Sequence, residues 1–522
     1  MLHAIVAAAA RTSPAHPAVT HGDETWTYAQ LWDSCRAVAV GLRRDGLSRG
    51  DRVAVYLDKR LETVAALFGT SCASGVFVPV NPVLRAAQVG YILRDASCRV
   101  LVTTAERYVS LRAELRQSES IEVVVVVGAD EPQADDEAYR VRTWTELVAE
   151  RDWPPREGST EPAIDVDVAA ILYTSGSTGM PKGVVLSHRN LRAGADSVSE
   201  YLENTADDVI LAALPLSFDA GLSQLTTGFS VGAHVVLHNY LLPGDVVAAC
   251  RRHRITGLTG VPPLWIQIAE QDWPADATAA FRYFANTGGR MPRPLLTRLR
   301  EHFPSATPYL MYGLTEAFRS TYLDPAEIDR RPDSIGKAIP NTEILVVRPD
   351  GTRCEPGEVG ELVHRGALVA LGYWNDPEKT ALRFRPPPGG PPVETGERAV
   401  WSGDLVRADD EGFLYFVGRN DEMIKTSGYR VSPTEIEEIA FRSGLVRDAV
   451  ALGDDDPALG QRIVLIVTPS TPGQRVGESL HRYFRRNAPS YMVPATVDER
   501  TSIPRGPNGK YDRTWLRQER AS

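Results

Sequence analysis

Arg52-Val53-Ala54-Val55-Tyr56-Leu57 is a β-rich run, Glu62 to Cys72 reads as a helix, and Gly75-Val76-Phe77-Val78-Pro79-Val80 is a second β-rich run. A further helix is predicted near Ala86 to Arg94, then a strand at Val100-Leu101-Val102-Thr103. Strands that alternate with helices in this way specify parallel sheets covered by helices. The pattern resumes at Val209-Ile210-Leu211-Ala212, His234-Val235-Val236-Leu237 and Gly257-Leu258-Thr259-Gly260, so the large part of the chain is read as α/β. From about Glu343 the texture changes to hairpin-like strands with turn signals such as Pro349-Asp350-Gly351, which predicts a β subdomain. Pro386 to Pro392 is a Pro/Gly loop. After Gly418-Arg419-Asn420-Asp421 the chain carries its own strand, helix and strand signals, including an amphipathic stretch from Pro433 to Phe441. Asp421 is therefore the expected boundary between an N-terminal domain, residues 1–420, and a C-terminal α+β domain, residues 421–522.

The 522 residues allow two to four domains at roughly 150 each. With 43% hydrophobic and 24% charged side chains the composition is that of an ordinary folded protein, which excludes disorder, collagen and coiled coil. Fifty-seven basic against 67 acidic residues give a net charge of −10, and no long single-sign run offers an arm for a phosphate backbone, so nucleic acid is not expected as a partner. The apolar stretch Ile5 to Ala10 lacks a preceding basic segment and is read as a helix, not a secretory signal. The run Val123-Val124-Val125-Val126-Val127 is strand-sized, far short of the ~20 residues of a membrane span. Five scattered cysteines, never in a C-x-x-C pair, suit a reducing cytoplasm and neither a disulfide frame nor a zinc site.

The chemistry concentrates at Ile171-Leu172-Tyr173-Thr174-Ser175-Gly176-Ser177-Thr178-Gly179-Met180-Pro181-Lys182-Gly183-Val184-Val185, a strand end followed by a small-residue loop. Hydroxyls on Thr174, Ser175, Ser177 and Thr178, glycines such as Gly176 that open the backbone N–H groups, and Lys182 as a point charge are what a polyphosphate requires. It is not a Walker loop, because Pro181 precedes the lysine and Gly183 follows it. A flexible turn with an exposed lysine is the plainer alternative.

The order Tyr-Thr-Ser-Gly-Ser-Thr-Gly-x-Pro-Lys-Gly resembles the signature of the adenylate-forming superfamily: acyl-CoA synthetases, nonribosomal adenylation enzymes and luciferases. Other motifs follow in that superfamily's order along nearly the whole chain: Trp26-Thr27-Tyr28, Val78-Pro79-Val80-Asn81-Pro82, Tyr312-Gly313-Leu314-Thr315-Glu316, Gly372-Tyr373-Trp374, Ser402-Gly403-Asp404, Gly418-Arg419-Asn420-Asp421, Lys425-Thr426-Ser427-Gly428-Tyr429-Arg430 and Pro507-Asn508-Gly509-Lys510. The resemblance implies a small C-terminal domain that rotates between two half-reactions. Carboxylate plus ATP gives acyl-AMP and pyrophosphate, and a thiol then takes the acyl group.

It also implies roles. Thr315 would donate to the α-phosphate and Glu316 would hold magnesium, where the alternative is a solvated Thr-Glu opening a helix. Tyr312 would stack on adenine and Asp404 would accept the ribose hydroxyls, unless it is a turn aspartate satisfied by its own backbone. Arg419 would help hold the nucleotide and Asp421 would be the hinge. Lys510, which composition alone reads as a solvated surface lysine, would bridge the substrate carboxylate and the α-phosphate. Lys425, Gly428 and Arg430 would face the site during thiol transfer, Gly428 admitting a pantetheine arm.

Substrate class turns on Leu214-Pro215-Leu216-Ser217-Phe218-Asp219-Ala220-Gly221-Leu222-Ser223-Gln224-Leu225. Amino-acid activators of the superfamily carry an aspartate after such a pair, where it meets the substrate ammonium, and Asp219 matches. A helix cap is the alternative. Alongside Phe218, the remaining walls are expected at Ala220, Ser223, Gly260, Met311, Arg319 and Ser320, with Ala285 and Thr287 placed to within one residue. Met311 and Arg319 are bulky, so the pocket should be short and suit alanine, glycine or serine. An acidic side chain would fit if the Arg319 guanidinium points inward. No carrier-attachment signal follows Lys510, so a separate acyl carrier protein is the expected acceptor, through its phosphopantetheine thiol or an aminoacyl group already on it, with coenzyme A the alternative. The pattern is most similar to stand-alone aminoacyl-carrier-protein ligases of macrolactam polyketide pathways, and a second similarity is to acyl-CoA ligases of exosortase systems. A luciferase-type oxygenase has no specific support, and intact Lys182 and Lys510 argue against a non-catalytic nucleotide-binding regulator.

Overall fold

The structure is a computed structural model that describes residues 1–129, 138–149, 162–174, 181–389, 396–419, 424–426, 429–431, 433–456, 459–488, 490–507 and 509–521. The predicted alternation builds two sheets. In one, the strands Arg52–Tyr56, Val76–Pro79, Val100–Thr104 and Val123–Val127 pair in parallel, Val168–Thr174 joins beside Val76–Pro79, and Lys182–Ser187 closes a hairpin onto it. In the other, Pro17–His21, His234–Leu237, Val209–Ala212, Gly257–Gly260, Tyr283–Asn286 and Thr307–Tyr312 run parallel, with antiparallel Glu24–Thr27 and Thr321–Leu323 beside them. The five-valine run is a strand buried along its whole length. Its residues are apolar on both faces because both faces are covered.

Two helices form the middle of the main core. Leu61–Cys72 is buried at every residue but Glu62, and Asp219–Val231 is buried from Gly221 to Phe229. Phe68 of the first meets Phe229 of the second edge-on at 5.4 Å, and side chains of both sheets pack in the same cluster. Helices that are apolar all round belong inside a protein, not on its surface. The predicted N-terminal helix spans Ala4–Thr12. No helix among the described residues is long and apolar enough to cross a membrane.

The β texture after Glu343 forms an antiparallel sheet of Thr342–Val347, Val359–Gly366, Ala399–Ala408, Phe384–Arg385 and Leu414–Arg419. The proposed boundary at Asp421 lies outside the described residues, as do Ser175, Gly176, Ser177, Thr178 and Gly428. Beyond it, Ile424–Thr426, Tyr429–Val431, Gly460–Pro469, Val446–Asp456 and Thr496–Glu499 make a separate sheet covered by the helices Pro433–Arg442, Gly477–Asn487 and Arg513–Ala521. This small unit has its own apolar clusters, around Ile436 and Phe484 on one side and Leu452 and Leu516 on the other.

Candidate functional site

A cleft of 1540 Å³ opens where the parallel strands end. It is lined by Thr174, by Ala213 to Ala220, by Asn286 and Thr287, by Tyr312 to Glu316, and by Arg505, Gly506, Gly509 to Trp515 and Gln518 of the small unit. The carboxyl ends of parallel strands are where open α/β sheets leave such a crevice.

On one wall the hairpin between Val168–Thr174 and Lys182–Ser187 sets Thr174 opposite Lys182 in register. The Thr174 hydroxyl is buried with no hydrogen-bond partner among the described residues, which suits a phosphate oxygen better than a structural contact. Lys182 Nζ lies 3.0 Å from Glu316 Oε1 and 2.8 Å from the Tyr373 hydroxyl, which itself donates to Glu316 at 2.6 Å. Burial opposes the charge on Glu316, but Lys182, Arg383 and the Tyr373 hydroxyl outweigh it and bring the carboxyl down to about 2. Glu316 is thus an ionised, hard oxygen donor inside the cleft. A single carboxylate of this kind, with phosphate oxygens, is a sufficient protein contribution to a magnesium site. Tyr373 and Arg383 are cleft residues beside Glu316 that sequence reasoning missed. Tyr373 stood in Gly372-Tyr373-Trp374 without a role, and Arg383 carried no motif.

On the nucleoside side Tyr312 donates from its hydroxyl to Asp404, and its ring lies 6.2 Å from that of Phe416. Asp404 is buried on the strand Ala399–Ala408, its N–H held by Ser402 Oγ at 3.1 Å. The two residues expected at adenine and ribose therefore touch.

Lys510 reaches the cleft from the small unit. Its loop is fixed by a bridge between Arg505 and Tyr511, by Gly506 N–H donating to Lys510 O at 2.9 Å, and by Asp448, which takes Arg505 at 2.6 Å and Tyr511 at 3.1 Å. Gly509, at φ +75°, makes the left-handed turn that presents the lysine. Arg290 Nε, 3.4 Å from Glu438 Oε1, ties the large unit to the small one in this orientation. Lys425 and Arg430 pair across a hairpin of the small unit, and Arg419 ends the strand Leu414–Arg419.

The acyl side differs from the sequence reading. Asp219 opens its helix at the first position, after Phe218, and no side chain caps the helix. The capping alternative is thereby corrected: the carboxylate turns outward, where Arg319 Nη1 donates to Oδ2 at 3.0 Å and Thr315 Oγ1 lies 3.4 Å from Oδ1. Arg319 is only 2% exposed against 16% for Asp219, so the guanidinium is the more enclosed of the two. Phe218, Ala220, Met311, Arg319 and Thr287 line the cleft, as does Asp219. Ser223, Gly260, Ala285 and Ser320 do not. Ser223 sits one turn deeper in the helix and meets Thr227 at 3.3 Å. Gly260 faces Trp265, and Ser320 turns away from its neighbour Arg319 to meet His364 at 2.9 Å. Neighbours along an extended chain point to opposite sides, so both serine and arginine could not be walls. The loop before Asp219 is braced by a residue that no motif marked: buried Lys59 donates to Ala213 O at 2.8 Å and Leu214 O at 3.3 Å. Burial lowers its pKa to about 7.

A family model described as AMP-binding enzyme matches residues 6–374, and one described as AMP-binding enzyme C-terminal domain matches residues 435–510. The chain is 34% identical to an L-proline–[L-prolyl-carrier protein] ligase of Streptomyces coelicolor, over 94% of its own length and 91% of that protein's. It is 30% identical to a feruloyl-CoA synthase of an Amycolatopsis species, over 96% and 95%. It spans only 6% of a linear gramicidin synthase polypeptide of Brevibacillus parabrevis, at 30% identity. Among solved structures, the o-succinylbenzoate coenzyme A synthetase of Bacillus subtilis in complex with ATP and magnesium superimposes with a TM-score of 0.81 at 26% identity, over 98% of this chain and 99% of that one.

Proposed function

The chain belongs to the AMP-binding enzyme family and is an AMP-forming ligase, and we propose that it adenylates a small L-amino acid and hands it to the phosphopantetheine thiol of a separate acyl carrier protein. One observation carries the choice of substrate: the Asp219 carboxylate lies 3.4 Å from the hydroxyl of Thr315, the residue expected at the α-phosphate. A carboxylate so close to the reacting centre suits the ammonium of an α-amino acid, whose nitrogen is two bonds from the reacting carboxyl oxygen's carbon. The carrier-protein ligase among the relatives supports the same reading.

The chemistry brings a substrate carboxylate against a negative α-phosphate, so the groups around it must supply positive charge and oriented donors. In this reading Lys510 lies between carboxylate and phosphate, Thr315 donates to the α-phosphate, Thr174 and Lys182 take the outer phosphates, and Tyr312 and Asp404 hold the nucleoside. Magnesium, when bound, adds charge to the polyphosphate, and Glu316 is the residue that would hold it. The substrate oxygen bonds to the α-phosphorus as pyrophosphate leaves, and a thiol sulfur then displaces AMP at the acyl carbon. Arg419 on the nucleotide, a hinge at Asp421 and a transfer surface at Lys425, Gly428 and Arg430 complete the proposal.

A second reading is an AMP-forming acyl-CoA ligase for a non-amino acid. The ion pair with Arg319 favours it, because Asp219 already has a counter-charge, and a feruloyl-CoA synthase is among the relatives. Pyrophosphate exchange across the twenty amino acids and a set of aryl and fatty acids separates the two. The proposal expects exchange with a small amino acid and a mass gain on holo carrier protein. Exchange confined to non-amino acids, with product on coenzyme A, would overturn it.

A further inference from the structure

Arg319 is delivered to the cleft by an unusual piece of backbone. Phe318 has φ 58° and ψ −58°, and Arg319 N–H donates back to Ala317 O at 2.6 Å. That is a γ-turn of the rare, strained hand, here on a bulky residue. The ring that accepts this conformation is wholly buried, in space that exists only because Gly194 has no side chain: a Cβ there would come within 2.5 Å of Phe318 Cδ1. On the other side Gly313 leaves room for Arg319, where a Cβ would stand 3.0 Å from the arginine Cα. Strain of this kind persists only where the surroundings over-determine it, and it clusters at ligand sites. Its effect here is to place a guanidinium, 2% exposed, against the cleft.

The guanidinium is incompletely used. Nη1 serves both Asp219 Oδ2 at 3.0 Å and Phe318 O at 2.9 Å, whereas Nε is buried without a partner among the described residues. Charge arithmetic then restricts the substrate. Asp219 and Arg319 together are neutral. A substrate that adds only an ammonium leaves one positive charge unmatched in a buried site, and a substrate that adds only a second carboxylate leaves one negative charge. A tail that carries one ammonium and one carboxylate restores neutrality, with the ammonium at Asp219 and the carboxylate on the planar fork of Arg319, the geometry in which arginine binds carboxylates best.

We propose that the substrate is an amino dicarboxylic acid, and that Arg319 is the residue that reads its second carboxylate. The inference rests on the amino-acid reading above and sharpens it from a small side chain to an acidic one. Met311, which accepts the Tyr201 hydroxyl at 2.9 Å, lines the same cleft as Arg319, and its bulk would limit the length of that side chain.

The test is pyrophosphate exchange with L-aspartate, L-glutamate, L-alanine, succinate and propionate, for wild type and for Arg319→Met and Arg319→Lys, with a melting curve for each protein. Wild type should prefer aspartate or glutamate to alanine, and Arg319→Met should cut that preference by roughly a hundredfold, the scale of breaking one buried charge pair. Arg319→Lys, which keeps the charge and loses the fork, should retain part of it. Alanine preferred over both acidic amino acids would overturn the inference while leaving the amino-acid reading intact. Succinate or propionate exceeding its amino counterpart would overturn the reading itself. An Arg319→Met protein that is folded at the assay temperature and loses all acids in parallel would also overturn the inference, since the arginine would then not read the second carboxylate.

Discussion

The cleft holds two acid–base pairs built on opposite plans. At the nucleotide end Lys182 and Glu316 meet at 3.0 Å with Tyr373 between them, the lysine a quarter exposed on a long flexible stem. At the acyl end Arg319 and Asp219 meet at the same distance, but the cation is the buried partner and sits on a strained turn. In the proposed reading the first pair is one to be exchanged: phosphate would take the lysine and magnesium the glutamate, so each partner has somewhere else to go. The second can exchange partners only with the substrate, whose ammonium is proposed to go to Asp219 and whose second carboxylate to Arg319. In the proposed reading, phosphate and metal contacts fall to groups that swap partners, and substrate choice to a charge held on a strained turn.

The largest expected effect comes from breaking the fixed pair. Asp219→Ala and Arg319→Met each leave a charge alone in a buried site, which costs about 3–5 kcal/mol. Both changes together remove the imbalance. The double variant should therefore unfold at a higher urea concentration than either single one, and additive losses in such a cycle would show that the two side chains do not interact.

Next is Lys510→Ala, which should lower adenylation on the order of a hundredfold to a thousandfold, as loss of a preorganised charge does. Transfer from a supplied aminoacyl-adenylate should be largely kept, because the lysine serves only the first half-reaction. Equal loss of both half-reactions in a folded protein would contradict a rotating small domain.

The exchangeable pair should reveal itself through pH. The Glu316 carboxyl is depressed to about 2 from an ordinary 4.5, so its contribution is present above about pH 4.5 and disappears as pH falls through the folded value. The shift corresponds to about 3 kcal/mol. Wild type should lose that much relative to Glu316→Gln between pH 6 and pH 2 in urea titrations, and a constant difference between the two proteins would sink the assignment.

The smallest effect belongs to the tie between the units. Arg290→Ala removes the 3.4 Å contact of a partly exposed arginine with buried Glu438, along with its pair to Asp333 within the large unit, and so long a contact across the units is worth about 1 kcal/mol or less. Adenylation should fall a fewfold while transfer does not, read as the ratio of the two rates.

The two pairs also differ in how far the sequence disclosed them. Lys182 and Glu316 lie in quoted motifs, since a phosphate site needs particular residues at particular spacing, and the parallel strands were visible as runs of Val, Ile and Leu because both sheet faces are covered. Asp219 and Arg319 were each singled out, yet their contact spans 100 positions and no local pattern announces it. The turn at Phe318 runs against the preference of an aromatic residue, so propensity could only mislead. Ser223, Gly260 and Ser320 were misjudged as walls because a position along the chain does not say which way its side chain points, and Arg319 and Ser320 show how sharply that direction changes from one residue to the next. Lys59 and Arg383 are cations without a motif, and only the folded chain brings them to the cleft.

Pyrophosphate exchange by Asp219→Ala, measured with the preferred amino acid and with its des-amino analogue, tests the central claim most directly. If Asp219 receives the substrate ammonium, specificity for the amino acid should fall on the order of a hundredfold to several thousandfold, while that for the analogue, which has no ammonium to pair, should change far less. Parallel changes for the two acids would contradict amine recognition and return the enzyme to the ligases that activate non-amino acids.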